Sequence, residues 1–162
     1  MITNIDSGSD ALSSPSPPGE EQRLILLLGL ARHHLFTALD RALGAAAGIT
    51  TVQAGALMFV GEAGGCLLGD LSRGLHLDNS AITGLVDRLE KKGLAAREPV
   101  PGDRRAWRVA LTPSGRDAAE KARSVVWVYN ESIQDCRPAG DVRGFRRVLE
   151  ALIARFPQKT GP

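Results

Sequence analysis

Residues 76–115 read HLDNSAITGLVDRLEKKGLAAREPVPGDRRAWRVALTPSG, and this stretch decides the fold. Asp78 can cap a helix from Asn79 to Lys92, in which apolar residues recur at three- and four-residue spacing up to the stop at Gly93. The period then changes to two, which is typical of strands, on both sides of the turn residues at 101–105. The sequence therefore predicts a helix followed by a β-hairpin with a basic turn.

Helical spacing recurs on both sides of this stretch. The shortest of these further helices is joined to the one at Asn79 by a tight turn at His76-Leu77. Capping signals mark two of the others, a capping box at Thr50–Gln53 and a Thr112-Pro113 start. The predicted helices run from Glu20 to about Gly44, from Thr51 to about Glu62, from Gly69 to Leu75, from Pro113 to about Gln134, and from the Pro138-Gly140 region to about Phe156.

Composition excludes several classes of protein. The chain has 162 residues, of which 43% are hydrophobic and 23% charged, which is ordinary globular usage and allows one domain. No apolar run reaches the roughly 18 residues of a membrane span, and the N-terminus lacks the pattern of a secretory signal. Cys66 and Cys136 lie too far apart for a zinc ribbon, so we expect a reduced, cytoplasmic protein without membrane attachment.

The charge is distributed unevenly along the chain. There are 20 Lys and Arg against 18 Asp and Glu. Residues 1–19 contain Asp6 and Asp10 and no basic residue, so the rest of the chain has 20 basic against 16 acidic residues and a net charge of +4. This excess permits a nucleic-acid partner without establishing one.

The helix predicted from Asn79 to Lys92 has the dimensions of a helix that reads DNA. It is about 21 Å long at 1.5 Å per residue, and one helix fits the major groove of B-DNA. The N-terminal residues approach the bases in this docking mode, and here they include Asn79, Ser80 and Thr83, which can hydrogen-bond to bases or phosphates. Arg88, further along, is a candidate phosphate contact.

The turn of the hairpin supplies a second candidate contact. A narrow minor groove concentrates negative potential and attracts arginine, which suits Arg104 and Arg105. DNA would repel an unpaired Asp103, so its expected role is to orient one of these arginines through a charge-assisted hydrogen bond. Two helices joined by a tight turn, followed by this hairpin, make a winged helix-turn-helix.

Residues 81–94 and 94–112 resemble the recognition helix and the wing of MarR-type transcriptional regulators. The resemblance extends over about residues 22–156 and depends on AITGLVDRLEKKGL, on Gly102-Asp103-Arg104-Arg105 and on the LTPSG that follows. It implies a homodimer whose terminal helices intertwine, and a pseudo-palindromic double-stranded operator with half-sites about one helical turn apart. In many members of the family the protein is a repressor released by a small, often aromatic ligand.

The predicted fold is accordingly mainly α-helical with a small β-hairpin wing. Residues 49–112 are assigned to a winged helix-turn-helix DNA-binding lobe, and residues 20–48 and 113–157 to a helical dimerisation region. Residues 1–19, rich in Ser, Pro and Gly, are assigned to a disordered tail because they cannot bury enough apolar surface to offset the entropy of ordering.

The family resemblance also implies a ligand site between the dimerisation helices and the DNA-binding lobe. His33, Phe36 and Met58 are the candidate ligand-binding residues, although a solvent-exposed or dimer-interface histidine and ordinary core residues are the commoner explanations of the same pattern. Neighbouring residues on a helix point about 100° apart, so His33 and His34 do not suit a shared metal ion, and neither a metal nor a cofactor is predicted.

Other functions were weighed against this interpretation. The chain has no phosphate-binding glycine loop, nucleophile elbow or metal-binding histidine pair, so an enzyme is not predicted. Two alternatives stay open. One is a winged-helix module that binds proteins and has lost DNA binding, and the other is a regulator whose switch is oxidation of Cys66 or Cys136.

Overall fold

The computed structural model describes residues 23–100 and 103–157, with side chains from residue 106 onward in the second range. The predicted tail at residues 1–19 therefore lies outside the described residues. Helices and strands follow one another in the order α1 (Leu24–Ala47), α2 (Thr51–Glu62), β1 (Cys66–Leu67), α3 (Leu68–Leu75), α4 (Asn79–Lys91), β2 (Ala95–Val100), β3 (Asp103–Leu111), α5 (Pro113–Asp135) and α6 (Ala139–Arg155).

Helix starts lie where the capping signals predict them. At α2 the Thr50 hydroxyl accepts a hydrogen bond from the Gln53 backbone at 3.3 Å, and the Gln53 side chain accepts one from the Thr50 backbone at 3.2 Å. At α5 the Thr112 hydroxyl accepts from the Gly115 backbone at 3.0 Å, and Pro113 occupies the first turn. The capping box and the Thr-Pro start are thus confirmed, because each satisfies backbone donors that the helix itself cannot.

The predicted helix-turn-helix is formed by α3 and α4. His76 ends α3 in the left-handed conformation, with φ 52°. The buried Ser72 fixes the turn, since its hydroxyl donates to the Leu77 carbonyl at 2.6 Å. Asp78 caps α4, and Gly93, with φ 68°, follows its last turn. The chain can therefore reverse between two short helices without a glycine at the turn.

The hairpin belongs to a three-stranded antiparallel sheet in the order β1-β3-β2. Cys66 in β1 pairs with Val109 in β3, and Ala95 in β2 pairs with Leu111. The prediction of two strands was therefore incomplete, because the two-residue β1 is too short to show an alternating pattern. Val109 of the central strand, which pairs with Cys66 on one side and Arg97 on the other, is fully buried.

The predicted turn at residues 101–105 was too long. The backbone of Asp103, Arg104 and Arg105 belongs to β3, and Asp103 pairs with Val100. Turn-forming residue types mark where a chain can reverse, but pairing with β2 extends the strand up to that point. Pro101 and Gly102 lie outside the described residues.

The core is built from aliphatic side chains of α1, α2, α3, α4 and β3. Each large one contributes about 1.5–3 kcal/mol by leaving water. The largest fully buried side chains are Leu43, Leu57, Val60, Leu71, Ile82, Leu85, Val86, Leu89 and Val109. Four of these residues, Ile82, Leu85, Val86 and Leu89, lie on α4 and pack one face of that helix against the core.

The fold divides between Leu35 and Phe36 into two units, and each unit exposes apolar side chains. In the first unit they cluster on α1, where Ile25 is 90% exposed. In the second the largest group lies on α5 and α6 and comprises Trp127, Val128, Phe145, Val148, Leu152, Ile153 and Phe156, and further exposed apolar side chains are Phe36, Val52, Leu67 and Trp107. None of the described helices is by itself long and apolar enough to cross a membrane, although α1 and α2 taken together across their break meet that test by length and composition alone.

Candidate nucleic-acid interface

The first two turns of α4 present a polar, exposed surface. Asn79, Ser80 and Thr83 are all exposed. The Ser80 hydroxyl donates to the Asp78 carboxylate at 2.7 Å, and the Thr83 hydroxyl donates to the Asn79 carbonyl at 2.8 Å. With their protons engaged inside the helix, both hydroxyl oxygens are left as acceptors, whereas the Asn79 amide keeps donors and an acceptor.

The opposite face of α4 is buried, as its spacing predicts. Ile82, Leu85, Val86 and Leu89 are at most 1% exposed. Because this face is packed, the helix cannot turn about its axis, and the exposed polar residues keep a fixed direction.

Arg88 lies on the exposed side of α4, towards its C-terminal half. Among the described residues, no carboxylate forms an ion pair with it. Its guanidinium is therefore available for a phosphate, which is the role predicted for it.

Asp78 carries a negative charge at the N-terminus of α4. The hydrogen bond from the Ala81 backbone, assisted by that from the Ser80 hydroxyl, lowers the pKa of the Asp78 carboxyl below its ordinary value. The carboxylate is thus ionised at neutral pH and occupies part of the helix terminus. It keeps Ser80 in place but reduces the attraction of this terminus for a phosphate.

The wing is formed by β2 and β3. The backbone of Asp103, Arg104 and Arg105 is described, whereas their side chains lie outside the described residues. Their predicted contacts with a minor groove therefore stay a prediction. The exposed part of the described wing includes Trp107, which is 46% exposed and pairs with Pro99.

Arg97 joins the wing to α4, a contact that the sequence analysis did not find. Its guanidinium forms an ion pair with Asp87, at 2.7 Å, and another with Glu90. Its backbone N–H donates to the Glu90 carboxylate at 2.9 Å. The signal available in the sequence is the pair of acids three residues apart on α4, but their partner depends on tertiary structure.

The three candidate ligand residues occupy different environments. His33, on α1, is exposed, and its ring lies 5.7 Å from that of His34 in an edge-to-face arrangement. Phe36, further along α1, is 37% exposed, and Met58 on α2 is partly buried. Their role in binding a ligand is untested. Among the described residues, no three His, Cys, Asp or Glu side chains are grouped closely enough to hold a metal ion.

The two cysteines differ in burial. Cys66 is buried, and burial, together with the charge of Asp70, raises the pKa of its thiol despite the opposing effect of Arg108. Cys136 is exposed at the end of α5, where its thiol donates to the Ile133 carbonyl at 2.9 Å. The buried environment of Cys66 therefore favours an inert thiol.

Comparison with known proteins identifies the same segment. Residues 47–106 match the model of the MarR family. The transcriptional activatory protein BadR of Rhodopseudomonas palustris is 41% identical over 78 residues, which are 46% of this chain and 45% of that protein. The chain spans less than half the length of this and three further curated relatives that it matches.

Solved structures share the fold over most of the chain. A probable transcriptional regulator from Pseudomonas aeruginosa is 28% identical, with a TM-score of 0.72 over 82% of this chain and 98% of that one. A mutant of MarR from E. coli, complexed with operator DNA, is 26% identical, with a TM-score of 0.67 over 83% of this chain and 99% of that one.

The family and these relatives are transcriptional regulators rather than enzymes, in agreement with the prediction from sequence. The fold class, with its helix-turn-helix and wing, is likewise that of the similar structures. Residues 47–106 thus have the sequence pattern of the MarR family, and the described residues share the fold of winged helix-turn-helix transcriptional regulators.

Proposed function

We propose that this chain regulates transcription by binding double-stranded DNA, with α4 in the major groove and the wing in an adjacent minor groove. The observation that carries the proposal is the two-sided character of α4, whose apolar face is buried while Asn79, Ser80, Thr83 and Arg88 are exposed. The operator complex of the E. coli relative supports this use of the fold. Residues 49–112 form the proposed DNA-binding lobe.

The exposed groups of α4 suit particular partners on DNA. An asparagine amide can bind adenine through two hydrogen bonds in the major groove. The Ser80 and Thr83 oxygens, whose protons are engaged within the helix, suit the amino groups of adenine or cytosine. Arg88 suits a phosphate, which positions the helix without reading sequence.

The regulator acts as a homodimer in the cytoplasm. Support for a second copy comes from the large apolar side chains left exposed on α1 and, separately, on α5 and α6, since exposed apolar surface of this kind marks an interface. Residues 20–48 and 113–157 form the proposed dimerisation region. Two copies related by a twofold axis present two recognition helices, which is why the operator is pseudo-palindromic.

The proposed switch is a small, aromatic effector that releases a repressor from its operator. His33, Phe36 and Met58 stay the candidate residues for binding this effector, and the His33 imidazole suits a carboxylate. The effector acts by favouring a spacing of the two recognition helices that does not fit the half-sites. It shifts the equilibrium between the two spacings only as far as its affinities for the two spacings differ.

The test is a titration of labelled duplex DNA with wild-type protein and with Arg105→Ala. We expect the substitution to weaken binding about tenfold while the circular dichroism of the protein is unchanged. Lys121→Ala is the matched control, because it removes one exposed positive charge on α5, where Lys121 pairs with Asp117. Unchanged binding by Arg105→Ala would contradict the proposed contact of the wing.

Salt dependence separates this proposal from the protein-interaction alternative. Binding through several phosphates releases counterions, so the affinity for duplex DNA should fall steeply as salt rises, and removal of Arg88 should reduce the log–log slope by about one. A folded protein that binds no duplex even at low salt would contradict the proposed function and favour a protein partner.

A further inference from the structure

Arg97 contacts α4 at three points along one side of the helix. Its guanidinium forms ion pairs with Glu90 and with Asp87, the latter at 2.7 Å, and lies 3.4 Å from the Thr83 carbonyl oxygen. Its backbone N–H also donates to Glu90, at 2.9 Å. Thr83, Asp87 and Glu90 span two turns of α4, so the contacts fix both the distance and the rotation of β2 relative to the helix.

Arg97 lies where the wing leaves the core. It pairs across the sheet with Val109, which is fully buried. The next outward pair on the same face joins Pro99 and Trp107, which are both exposed. On that face of β2, Arg97 is therefore the outermost described residue that is held by α4. Its contacts set the direction in which the wing projects.

The ion pairs of Arg97 differ from ordinary surface pairs. The Arg97 side chain is 21% exposed and the Glu90 side chain 30%, while Asp87, at 48%, lies nearer the solvent; in the Arg73–Asp70 pair on α3 the arginine itself is 72% exposed. Partial burial reduces screening by water, and two carboxylates share one planar guanidinium. The contact is thus suited to holding a defined geometry, whereas the exposed pair on α3 is not.

We propose that Arg97 is a positioning residue for DNA recognition: it holds the wing at the angle from which Arg105 reaches DNA while α4 occupies the major groove. The inference rests on the proposed function and adds to it that the helix and the wing bind as one rigid unit. Arg97 itself touches no DNA in this account, because its guanidinium is occupied by α4.

A double-mutant cycle on DNA affinity tests this positioning role. In the wild-type background Arg105→Ala should weaken binding about tenfold, whereas in the Arg97→Met background the same change should weaken it about twofold or less, because the wing is no longer held in place. Affinities are measured below the unfolding temperature of every variant. A purely structural role of Arg97 would lower the folded fraction without changing the cost of Arg105→Ala.

A second variant background removes the two carboxylates of α4 with which Arg97 forms ion pairs. The double variant Asp87→Asn with Glu90→Gln leaves Arg97 intact but unpaired, and it also removes two negative charges near the DNA. Release of the wing should lower the overall affinity and loss of the two charges should raise it, so the readout is the cost of Arg105→Ala, which should again fall to about twofold or less. Arg73→Met is the matched control, since it breaks an exposed ion pair on α3 and should leave that cost at about tenfold.

The outcomes distinguish the positioning role from the proposed function. An equal cost of Arg105→Ala in all backgrounds would overturn the role of Arg97, and so would a wild-type protein in which Arg105→Ala costs nothing. If the wild-type chain binds no duplex, the proposed function fails. Amide hydrogen exchange of β2 and β3 in the free protein then decides whether Arg97 holds the wing: exchange should be faster in Arg97→Met, and unchanged exchange would overturn that part too.

Discussion

At the scale of single residues, the two thiols differ in the property that governs their reactivity. The thiolate is the reactive form of cysteine, and burial raises the pKa of Cys66 above its ordinary value of 9.0. Cys66 also packs in the sheet, opposite Val109. Cys136 is exposed at the end of α5. Cys136 is therefore the better candidate for a thiol switch, since it is exposed whereas Cys66 is buried.

We expect a chromogenic disulfide reagent to modify Cys136 rapidly and Cys66 slowly in the folded protein at about pH 8. Because the pKa of Cys66 is raised, its reaction should accelerate only as the pH rises beyond the range where an ordinary thiol ionises. Cys136→Ser should remove the fast phase, and Cys66→Ser the slow one. Rapid modification of Cys66 at neutral pH, with loss of DNA binding on oxidation, would favour the redox alternative instead.

At the scale of elements, the start of α5 is joined to the connection between α4 and β2. The Thr112 hydroxyl donates to the Gly93 carbonyl at 2.6 Å, and the Thr112 backbone donates to the Leu94 carbonyl at 3.2 Å. Gly115 is buried at this junction, where a Cβ atom would overlap the Leu94 backbone. The cap and first turn of α5 thus contact the connection that follows α4.

Gly115→Ala should destabilise the protein by about 1–3 kcal/mol, because the added methyl group meets backbone that cannot move aside easily. The control is Gly44→Ala on α1, where nothing lies within 4 Å of the added Cβ. There the helix gains conformational preference, so stability should hold or rise by about 0.5–1 kcal/mol. Urea unfolding followed by circular dichroism measures both; equal stability of the two variants would contradict the packing described at Gly115.

The elements could be predicted from sequence where local chemistry determines them. The capping box at Thr50, the Asp78 cap and the Thr112-Pro113 start each act within one turn of chain, so each is readable from a few residues. The two-residue β1 could not be predicted, because its pairing with β3 depends on residues about forty positions away.

In the candidate site, too, some features follow from local sequence and others depend on tertiary structure. The exposed and buried faces of α4 follow from its periodicity, so Asn79, Ser80 and Thr83 could be placed on the outside from sequence. The contact of Arg97 with Asp87 and Glu90 joins a strand to a helix, and no local pattern specifies it. The predicted roles of Asp103, Arg104 and Arg105 stay predictions, since their side chains are outside the described residues.

At the scale of the whole molecule, two kinds of exposed surface are suited to binding a partner. The polar side of α4 and the wing suit a polyanion, and the chain outside residues 1–19 carries a net charge of +4. The apolar side chains exposed on α5 and α6, among them Phe145 and Phe156, suit a second copy of the chain. In the proposed dimer, the apolar side chains of the two copies cover one another, and two polar α4 surfaces are available for DNA. Two recognition helices contact more base pairs than one, which raises the specificity.

We propose that a dimer of this chain reads a specific operator. The most direct measurement is selection of purified, full-length protein on a pool of random duplexes, followed by sequencing of the bound fraction. The account predicts enrichment of an inverted repeat with half-sites about one helical turn apart. Absence of any enriched sequence, from a protein shown to be folded and dimeric, would contradict it.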